Sequence, residues 1–214
     1  MDQNRFKNRK DAGERLATLL EPYVGARTIV YALPRGGVII GDEIAKSLHV
    51  PLDIINPRKI VHPDNPEYAV AAVNEKGEIT FNPKDVSYEG EGWFNLAWER
   101  AHQEAKKRRE IYARGKEKIS ARGKTAIIAD DGAATGLTIL SAIREIRKEI
   151  PWKIIVALPV MPSDLEDILS HEADQFVAVI SDPHFRGSVG MYYDDFSEVE
   201  DVDVLKILDS YKQN

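Results

Sequence analysis

The sequence predicts a doubly wound α/β fold built on a mainly parallel sheet. Residues 126–129 and 154–158 are almost continuously apolar, as expected for strands that are buried on both faces. Strand-like and helix-like segments also alternate along the chain, which is typical of parallel sheets with crossover helices. Hydrophobic residues make up 43% of the 214 positions, which is enough for a substantial buried core.

The N-terminal part contains an amphipathic helix and one strand–helix–strand unit. The apolar side chains that recur on one face of the helix are Ala12, Leu16, Leu19 and Leu20, so we expect this face to be buried. The first strand of the unit, TIVYAL, is ended abruptly by Pro34. The predicted ranges are 4–20 for the first helix, 28–33 and 52–55 for the strands, and 38–48 for the second helix.

The middle of the chain departs from this alternation. A segment rich in proline and charge predicts a loop, and turn-forming residues around Gly77 predict a β-hairpin. The predicted ranges are 57–66 for the loop, 68–73 and 78–81 for the hairpin strands, 74–77 for their turn, 82–92 for a polar stretch and 93–113 for a long charged helix.

The alternation returns in the C-terminal part. Helical spacing places Leu140, Ile143 and Ile146 on one inward-facing side. The predicted ranges are 125–129, 153–158 and 176–180 for strands, 132–136 for a Gly-containing loop, 137–149, 164–170 and 202–211 for helices, and 182–196 for an irregular aromatic segment.

Composition excludes several kinds of site. The absence of cysteine excludes disulfides, zinc–thiolate centres and a thiol nucleophile. The five histidines are scattered without zinc-ligand spacing, and we expect them to be surface or packing residues. The formal charge of −6 argues against broad nucleic-acid binding. We find no signal peptide at residues 1–11 and no apolar run long enough to span a bilayer, so we expect a cytoplasmic protein.

The most informative segment is residues 126–138, in which two adjacent carboxylates, Asp130 and Asp131, end a buried strand. A small-residue loop then leads into a helix, and its backbone N–H groups and the helix dipole predict a site for a phosphate monoester. Thr135 and Thr138 add hydroxyl donors. The carboxylates favour sugar hydroxyls, a metal ion or a developing cation. A turn followed by a helix start explains any one of these residues, but not the whole string.

This string resembles the phosphoribosyl pyrophosphate (PRPP) signature of the type I phosphoribosyltransferases. It lacks the Gly-Lys-Ser/Thr of a P-loop and the G-x-G-x-x-G of a dinucleotide site. The resemblance spans about residues 25–200 and implies that family's fold, with residues 1–214 forming one domain, a core at about 25–180 and a hood at about 181–200. It also implies a homodimer that binds small molecules. From the hydropathy and the net charge we expect no membrane partner and no nucleic-acid partner.

The reaction that the resemblance implies is Mg²⁺-dependent transfer of the phosphoribosyl group of PRPP to a nitrogen acceptor, expected to be a nucleobase, in nucleotide salvage or synthesis. The alternative is a regulator of the same fold that senses PRPP without turnover. Asp130 and Asp131 would bind the ribose diol, hold Mg²⁺ largely through water and stabilise a cationic transition state. The other implied PRPP-binding residues of this loop are Gly132, Ala133, Ala134, Thr135, Gly136 and Thr138.

Two further segments are assigned to pyrophosphate by the resemblance. The loop of Arg35, Gly36 and Gly37 fits a plain strand-to-helix turn and an anion-binding loop equally well, and for it we predict a cis Arg35–Gly36 bond. Arg58 and Lys59 also fit an ordinary basic pair, but the resemblance makes them catalytic groups that hold the departing pyrophosphate. Residues 60–67, alone or with the hairpin, would form a lid that excludes water.

The aromatic segment 183–196 resembles the family's hood over the base, although its rings also fit a cap on the core. The stacking candidates are Phe185, Val189, Tyr192 and Tyr193, and the polar candidates are Asp194 and Asp195. Members of the family that act on 6-oxopurines carry an acid where this chain has Ala134 and a lysine where it has residues 159–162. The resemblance therefore does not support a 6-oxopurine acceptor.

The charged helix has eight Lys and Arg residues between positions 99 and 118, with glutamates interspersed. This pattern favours a solvated surface. A subunit-interface arm and an RNA-contacting patch are the alternatives, although no aromatic-interleaved motif supports RNA.

Overall fold

The computed structural model describes residues 5–23, 25, 27–82, 88 and 91–211, and it confirms the doubly wound α/β class. The helices are α1 (Arg9–Leu20), α2 (Gly36–Leu48), α3 (Gly92–Ala113), α4 (Leu137–Arg147), α5 (Leu165–Glu172) and α6 (Asp201–Ser210). The strands are β1 (Thr28–Ala32), β2 (Leu52–Ile54), β3 (Arg58–His62), β4 (Asn65–Val73), β5 (Ile79–Phe81), β6 (Thr125–Ala129), β7 (Lys153–Pro162) and β8 (Gln175–Asp182).

The large sheet has the strand order β2-β1-β6-β7-β8, with every neighbouring pair parallel. The chain runs outward from β1 to β2 and then returns to β6 on the other side of β1. Ala32 pairs with Ala129, and the Leu33 amide donates to the Ala129 carbonyl at 2.9 Å, so these two strands end level. A crevice therefore opens between the loops after β1 and β6, where the strand order reverses.

Burial on both faces of this sheet explains its apolar strands. Along β1, Ile29 and Tyr31 pack into a core with residues of α4 and α5, while Val30 and Ala32 pack into the opposite core with residues of α1, α2 and α6. Successive strand residues point to opposite faces, so a strand covered on both sides needs apolar residues throughout.

The small sheet has the order β3-β4-β5, is antiparallel, and packs against α3. The hairpin of β4 and β5 is confirmed, and the Asn74 side-chain oxygen closes its turn by accepting from the amides of Lys76 and Glu78 at 3.0 Å. The prediction of a loop at 57–66 is wrong, because this range contains all of β3 and the start of β4. Prolines flank β3 instead of interrupting it, and Ile60 is buried against α3.

Helix α1 is capped by Asn8, whose side chain accepts from the Asp11 amide at 3.0 Å. The predicted start at residue 4 lies outside the described residues. Leu16 and Leu20 are fully buried as predicted, but Leu19 is 45% exposed. At about 100° per residue, Leu16 and Leu20 lie near the middle of the buried face of α1, whereas Leu19 lies just beyond its edge. Arg9 shares the buried face instead.

The segment before α1 pairs with the segment before α6. The Phe6 amide donates to the Tyr192 carbonyl at 2.8 Å, and the Asp194 amide donates to the Phe6 carbonyl at 2.8 Å. Phe6 is fully buried and packs on Tyr193, with ring centroids 5.2 Å apart. We call the two paired segments, 5–9 and 189–197, the roof. Among the described residues, no helix is both long and apolar enough to cross a membrane.

The charged helix α3 is only partly solvated. Arg109 is largely buried and pairs with Asp53 of β2 at 2.8 Å. Beyond α3, Lys118 pairs with Glu145 of α4 at 2.5 Å and with Glu149 at 3.1 Å. Burial lowers the pKa of Lys118, but these two carboxylates outweigh burial and raise it overall. The ion pairs tie α3 and the chain after it to the large sheet and to α4.

We expect Lys118→Met to lower the free energy of unfolding by about 3–5 kcal/mol, because it leaves the carboxylate of Glu145, which is 1% exposed, without its cation. The double variant Lys118→Met/Glu145→Leu should recover most of the loss, since neither charge then remains buried. Urea unfolding measures both changes, with Lys116→Met as an exposed lysine control. A single variant as stable as this control would contradict the expectation.

Candidate functional site

A cavity of about 530 Å³ lies at the carboxyl ends of β1 and β6. Its wall combines the loops after β1, β2 and β6 with residues of β3, the start of α4 and three residues of the roof. The residues that line it are Arg9, Pro34, Pro57, Arg58, Lys59, Val61, Asp130, Asp131, Gly132, Ala133, Ala134, Thr135, Gly136, Thr138, Val189 and Phe196. The structure therefore brings the predicted acid pair, small-residue loop and basic pair together.

The acid pair is half-buried on the wall of the cavity. The Asp131 amide donates to the Asp130 Oδ1 atom at 2.8 Å. Burial raises the pKa of Asp130 well above its usual value, and the neighbouring charge of Asp131 raises it further. Burial also raises the pKa of Asp131, although Arg9 opposes this change. Ionising both carboxyl groups at once is costly, and a cationic group beside them reduces this cost.

Arg9 contacts the acid pair, although none of the sequence motifs indicated this residue. Its Nε atom donates to Asp131 Oδ2 at 2.7 Å, its Nη1 atom donates to the Ser197 carbonyl at 2.7 Å, and its guanidinium lies 3.8 Å from the centre of the Phe196 ring. The sequence offers one indication of this role, because Arg9 lies two helical turns before Leu16 and so falls on the apolar face of an amphipathic helix.

Two glycines allow the loop after β1 to lie against the acids. A Cβ atom on Gly36 would lie 1.8 Å from Asp131 Oδ2, and a Cβ atom on Gly37 would lie 2.9 Å from the Asp130 Cα. Any larger residue here would displace a carboxylate. The cis bond of this loop is Pro34–Arg35, so the predicted position, Arg35–Gly36, is one bond too late.

Arg35 points away from the cavity. Its guanidinium pairs with Glu198 and lies 3.9 Å from Asp201, the first residue of α6. Arg35 is not among the residues that line the cavity, whereas Pro34 is. The Arg35 side chain therefore does not face the cavity in this arrangement, because nearby carboxylates hold it elsewhere, and its contact with PRPP stays a prediction.

The small-residue loop ends at an uncapped helix. Gly136 is the N-cap of α4 with φ +70°, and no side chain accepts from the first amides of that helix. The Ala133 amide donates to the Val160 carbonyl at 3.0 Å, which fixes the start of the loop. Gly132 has φ +149°, and a Cβ atom there would lie 2.6 Å from Val189. The uncapped N–H groups of α4 face the cavity and suit an anion.

Arg58 and Lys59 both reach the cavity from β3, but they differ in their partners. Arg58 pairs with Glu104 of α3 at 2.6 Å. Burial lowers the pKa of Arg58, and Glu104 opposes that change. Lys59 is exposed and makes no ion pair within the described part of the chain, and its charge lowers the pKa of both Asp130 and Asp131. Lys59 is thus the cation that is free to meet an anion.

The predicted base-stacking residues divide into two groups. Tyr192 and Tyr193 are 0% and 3% exposed and do not line the cavity, so their predicted role in stacking is corrected to packing. The Tyr192 hydroxyl donates to Asp182 at 2.6 Å, and the Tyr193 hydroxyl donates to the Asp131 carbonyl at 2.7 Å. Phe185 stacks on Tyr192. The sequence alone does not distinguish the aromatic rings that pack inside the roof from those that line the cavity, because the difference lies in their burial.

The apolar surface that the cavity does present comes from Val189, which was predicted, and Phe196, which was not. The two predicted polar residues, Asp194 and Asp195, make contacts within the roof and do not line the cavity. Asp194 pairs with Arg5 at 2.8 Å, and Asp195 accepts from the Ser197 amide at 3.0 Å. Val61 also lines the cavity from within the predicted lid, and the closure of that lid stays a prediction.

The acids also bear on metal binding. Among the described residues, no group of three or more His, Cys, Asp or Glu side chains is placed to hold a metal ion. Asp130 and Asp131 nevertheless supply carboxylate oxygens, which Mg²⁺ prefers, and Mg²⁺ is commonly bound by one or two carboxylates together with water and substrate phosphates. The donor set therefore fits magnesium held in that indirect way.

The chain matches the family model of the phosphoribosyl transferase domain over residues 4–195. In two strains of Mycobacterium tuberculosis, a protein provisionally named as a phosphoribosyl transferase is 34% identical over 206 residues, which cover 95% of this chain and 46% of that protein. This chain thus spans about half the length of the curated relatives it matches. A crystal structure of a protein from Thermus thermophilus has a TM-score of 0.81 and 37% identity, covering 97% of this chain and 99% of that one.

We expect Asp130→Asn to raise the melting temperature at neutral pH, because an ionised carboxylate is costly where burial has raised its pKa. The amide oxygen still accepts from the Asp131 amide. In the wild type, a raised pKa of Asp130 lowers the free energy of unfolding only at pH values where the unfolded chain would ionise this group. This destabilisation is absent below the unfolded-state pKa and grows as the pH rises toward the raised folded-state pKa. Melting curves at a series of pH values should therefore show a gain that shrinks on acidification; a gain independent of pH would refute this origin.

We expect Gly36→Ala to destabilise the chain by about 1–3 kcal/mol, because the new methyl group overlaps Asp131 Oδ2. In an Asp131→Ala background the same change should cost less, since the overlapping oxygen is gone and Arg9, whose Nε atom would lie 2.7 Å from the new Cβ, is no longer held there by the carboxylate. Gly92→Ala is the control, because Gly92 also begins a helix and a Cβ atom there meets nothing within 4 Å. Chemical unfolding of the four combinations measures the coupling; equal costs in both backgrounds would show that the carboxylate is not the obstacle.

Proposed function

Because the chain belongs to the phosphoribosyl transferase domain family, we propose that it transfers the phosphoribosyl group of PRPP to a ring nitrogen of a nucleobase and releases pyrophosphate. The observation that carries this proposal is the convergence on one cavity of an uncapped helix start, a half-buried acid pair and a lysine that makes no ion pair within the described residues. These groups match a phosphate monoester, a ribose that becomes cationic and a leaving pyrophosphate.

The 5′-phosphate of PRPP would bind at the start of α4. Backbone N–H groups there have no side-chain acceptor, and the hydroxyls of Thr135 and Thr138 line the same part of the cavity. The positive end of the helix dipole adds to the attraction. Holding this end of the substrate would position the anomeric carbon relative to the acids.

The ribose diol would lie on Asp130 and Asp131. As the bond to pyrophosphate breaks, positive charge develops on the ribose ring, and the two carboxylates would stabilise it electrostatically. The pKa values of both carboxyl groups are raised in the protein without substrate. A developing cation beside them would lower these pKa values and so favour the ionised forms. No protein nucleophile is required.

The pyrophosphate would lie on the opposite side, against Lys59. This side chain has no carboxylate partner in the described part of the chain, so its charge is available to the leaving group. Arg58 would contribute more weakly because Glu104 already holds its guanidinium at 2.6 Å. Pro34 and Gly37 bring the backbone of the loop after β1 close to the same region.

Magnesium fits this site, with Asp130 and Asp131 holding it through water. When bound, Mg²⁺ would neutralise negative charge on the pyrophosphate and so favour its departure. The chain's own contribution is to keep the two carboxylates in place, which the Arg9 contact at 2.7 Å and the close fit of Gly36 achieve.

The acceptor would lie against Val189 and Phe196, the apolar surfaces that the roof presents to the cavity. A 6-oxopurine is disfavoured, because Ala134 supplies no acid and residues 159–162 belong to β7, with Val160 and Met161 fully buried. We therefore propose a nucleobase outside that class. The family resemblance further supports a homodimer that acts in nucleotide salvage or synthesis in the cytoplasm.

Pyrophosphate release from Mg-PRPP tests the proposal directly, with adenine, guanine, hypoxanthine, xanthine, uracil and orotate supplied singly. Base-dependent release by the wild type that is lost in Asp131→Asn would establish the reaction and its acceptor class. Saturable PRPP binding by calorimetry without release would indicate a PRPP-sensing protein instead. If PRPP did not bind at all, the proposal would be wrong.

We expect Lys59→Gln to lower the rate of pyrophosphate release about 100-fold, because it removes a charged group that meets the leaving group. The matched control is Lys10→Gln, another exposed lysine, which pairs with Glu14 at 3.9 Å outside the cavity. Steady-state kinetics should show the loss mainly in kcat. An unchanged rate in Lys59→Gln would remove this residue from the mechanism.

A further inference from the structure

A second cavity, of about 360 Å³, lies between α4 and the hairpin of β4 and β5. It shares no lining residue with the first cavity. Three cations line it, Arg144, Arg147 and Lys148, against one carboxylate, Glu78. Cations therefore outnumber carboxylates among the lining residues, and the carboxylates that balance the two arginines, Glu172 and Asp174, lie outside the lining.

Two hydroxyl-bearing residues line this cavity from opposite sides, Ser141 on α4 and Thr80 on β5. Their residues are 2% and 4% exposed. Neither side chain makes a hydrogen bond within the described part of the chain. A hydroxyl that has no protein partner and lies on the wall of a shared cavity is available to donate to an acceptor there.

The three cations are held by carboxylates at the rim. Arg144 pairs with Glu172 at 2.6 Å, Arg147 pairs with Asp174 at 2.8 Å, and Lys148 pairs with Glu78 at 2.6 Å. All three cations are substantially exposed, at 42–58% of their side chains, so these pairs are weak and can exchange for a better anion. Guanidinium groups bind phosphate oxygens in a bidentate manner, which makes phosphate such an anion.

We propose that this cavity is a second binding site, which takes a small organic phosphate. The phosphate would accept hydrogen bonds from Ser141 and Thr80 and pair with the arginines, while an apolar body would lie against Ile79. The volume is within the range of small-molecule sites. This inference goes beyond the proposed transfer reaction and does not depend on it.

The site lies on the two elements that also build the first cavity. Helix α4 carries the small-residue loop at its other end, and the small sheet carries Lys59, which pairs with Ala72 of β4. Ala69 and Ala72 pack on Leu137 at the start of α4. A ligand in the second cavity would therefore contact the same helix and the same sheet at their far ends.

Isothermal titration calorimetry with phenyl phosphate tests the proposal, because this probe joins a phosphate to an apolar body. The wild type should bind two molecules per chain, one in each cavity. Arg144→Gln/Arg147→Gln should lose one of them and keep the other. Thr135→Glu, which places a carboxylate in the first cavity, should lose the other instead.

Two further variants control for folding. Thr80→Val keeps the shape of the side chain and should weaken binding at the second site about tenfold, as expected for one lost hydrogen bond to a charged group. Arg114→Gln removes an arginine of similar exposure that pairs with Asp209 at 2.9 Å away from the cavity, and it should leave both affinities unchanged.

The outcomes separate the two proposals. A single binding event that Thr135→Glu abolishes and the double arginine variant leaves intact would overturn the second site while the first stands. A single event lost only in the double arginine variant would support the second site and contradict the phosphate assignment in the first. Loss of binding in Arg114→Gln to the same extent as in the double arginine variant would show a general charge effect and overturn the second site.

Discussion

The first cavity depends on holding two neighbouring carboxylates, partly shielded from water, at the end of β6. Asp130 and Asp131 repel each other and are costly to ionise away from water, so each needs support from elsewhere in the chain. Arg9 supplies a guanidinium from α1, and the Tyr193 hydroxyl holds the Asp131 carbonyl at 2.7 Å. Gly36 contributes by having no Cβ atom, which leaves the space that the Asp131 carboxylate occupies.

This requirement explains why the N-terminal segment and the roof belong to the site. Phe6 is fully buried against Tyr193, and backbone hydrogen bonds join the two segments at 2.8 Å. The pairing carries Arg9 to the acids and places Phe196 beneath its guanidinium. The acids of the loop after β6 are therefore held in place only when both segments of the roof pack against that loop.

Helix α3, which packs on the small sheet, is tied to the rest of the chain by charge, and the small sheet itself by apolar contact. Arg109 of α3 and Lys118 after it neutralise carboxylates of β2 and α4, and Ala69 and Ala72 of β4 pack on Leu137. The strand that carries Lys59 is consequently fixed relative to the helix whose first turn faces the cavity. The same helix, through Ser141 and Arg144, lines the second cavity.

The strands of the large sheet, the hairpin, the acid pair and the small-residue loop could all be predicted from the order of residues, because each depends on burial on two faces or on a local string. The remaining features depend on how the elements pack together. Strand β3 pairs with β4 and is covered by α3, and Leu19 is exposed because it lies at the edge of the face that α1 buries. Arg9 and Phe196 reach the cavity, while Arg35 and Tyr192 do not, because partners far away in the chain orient these side chains.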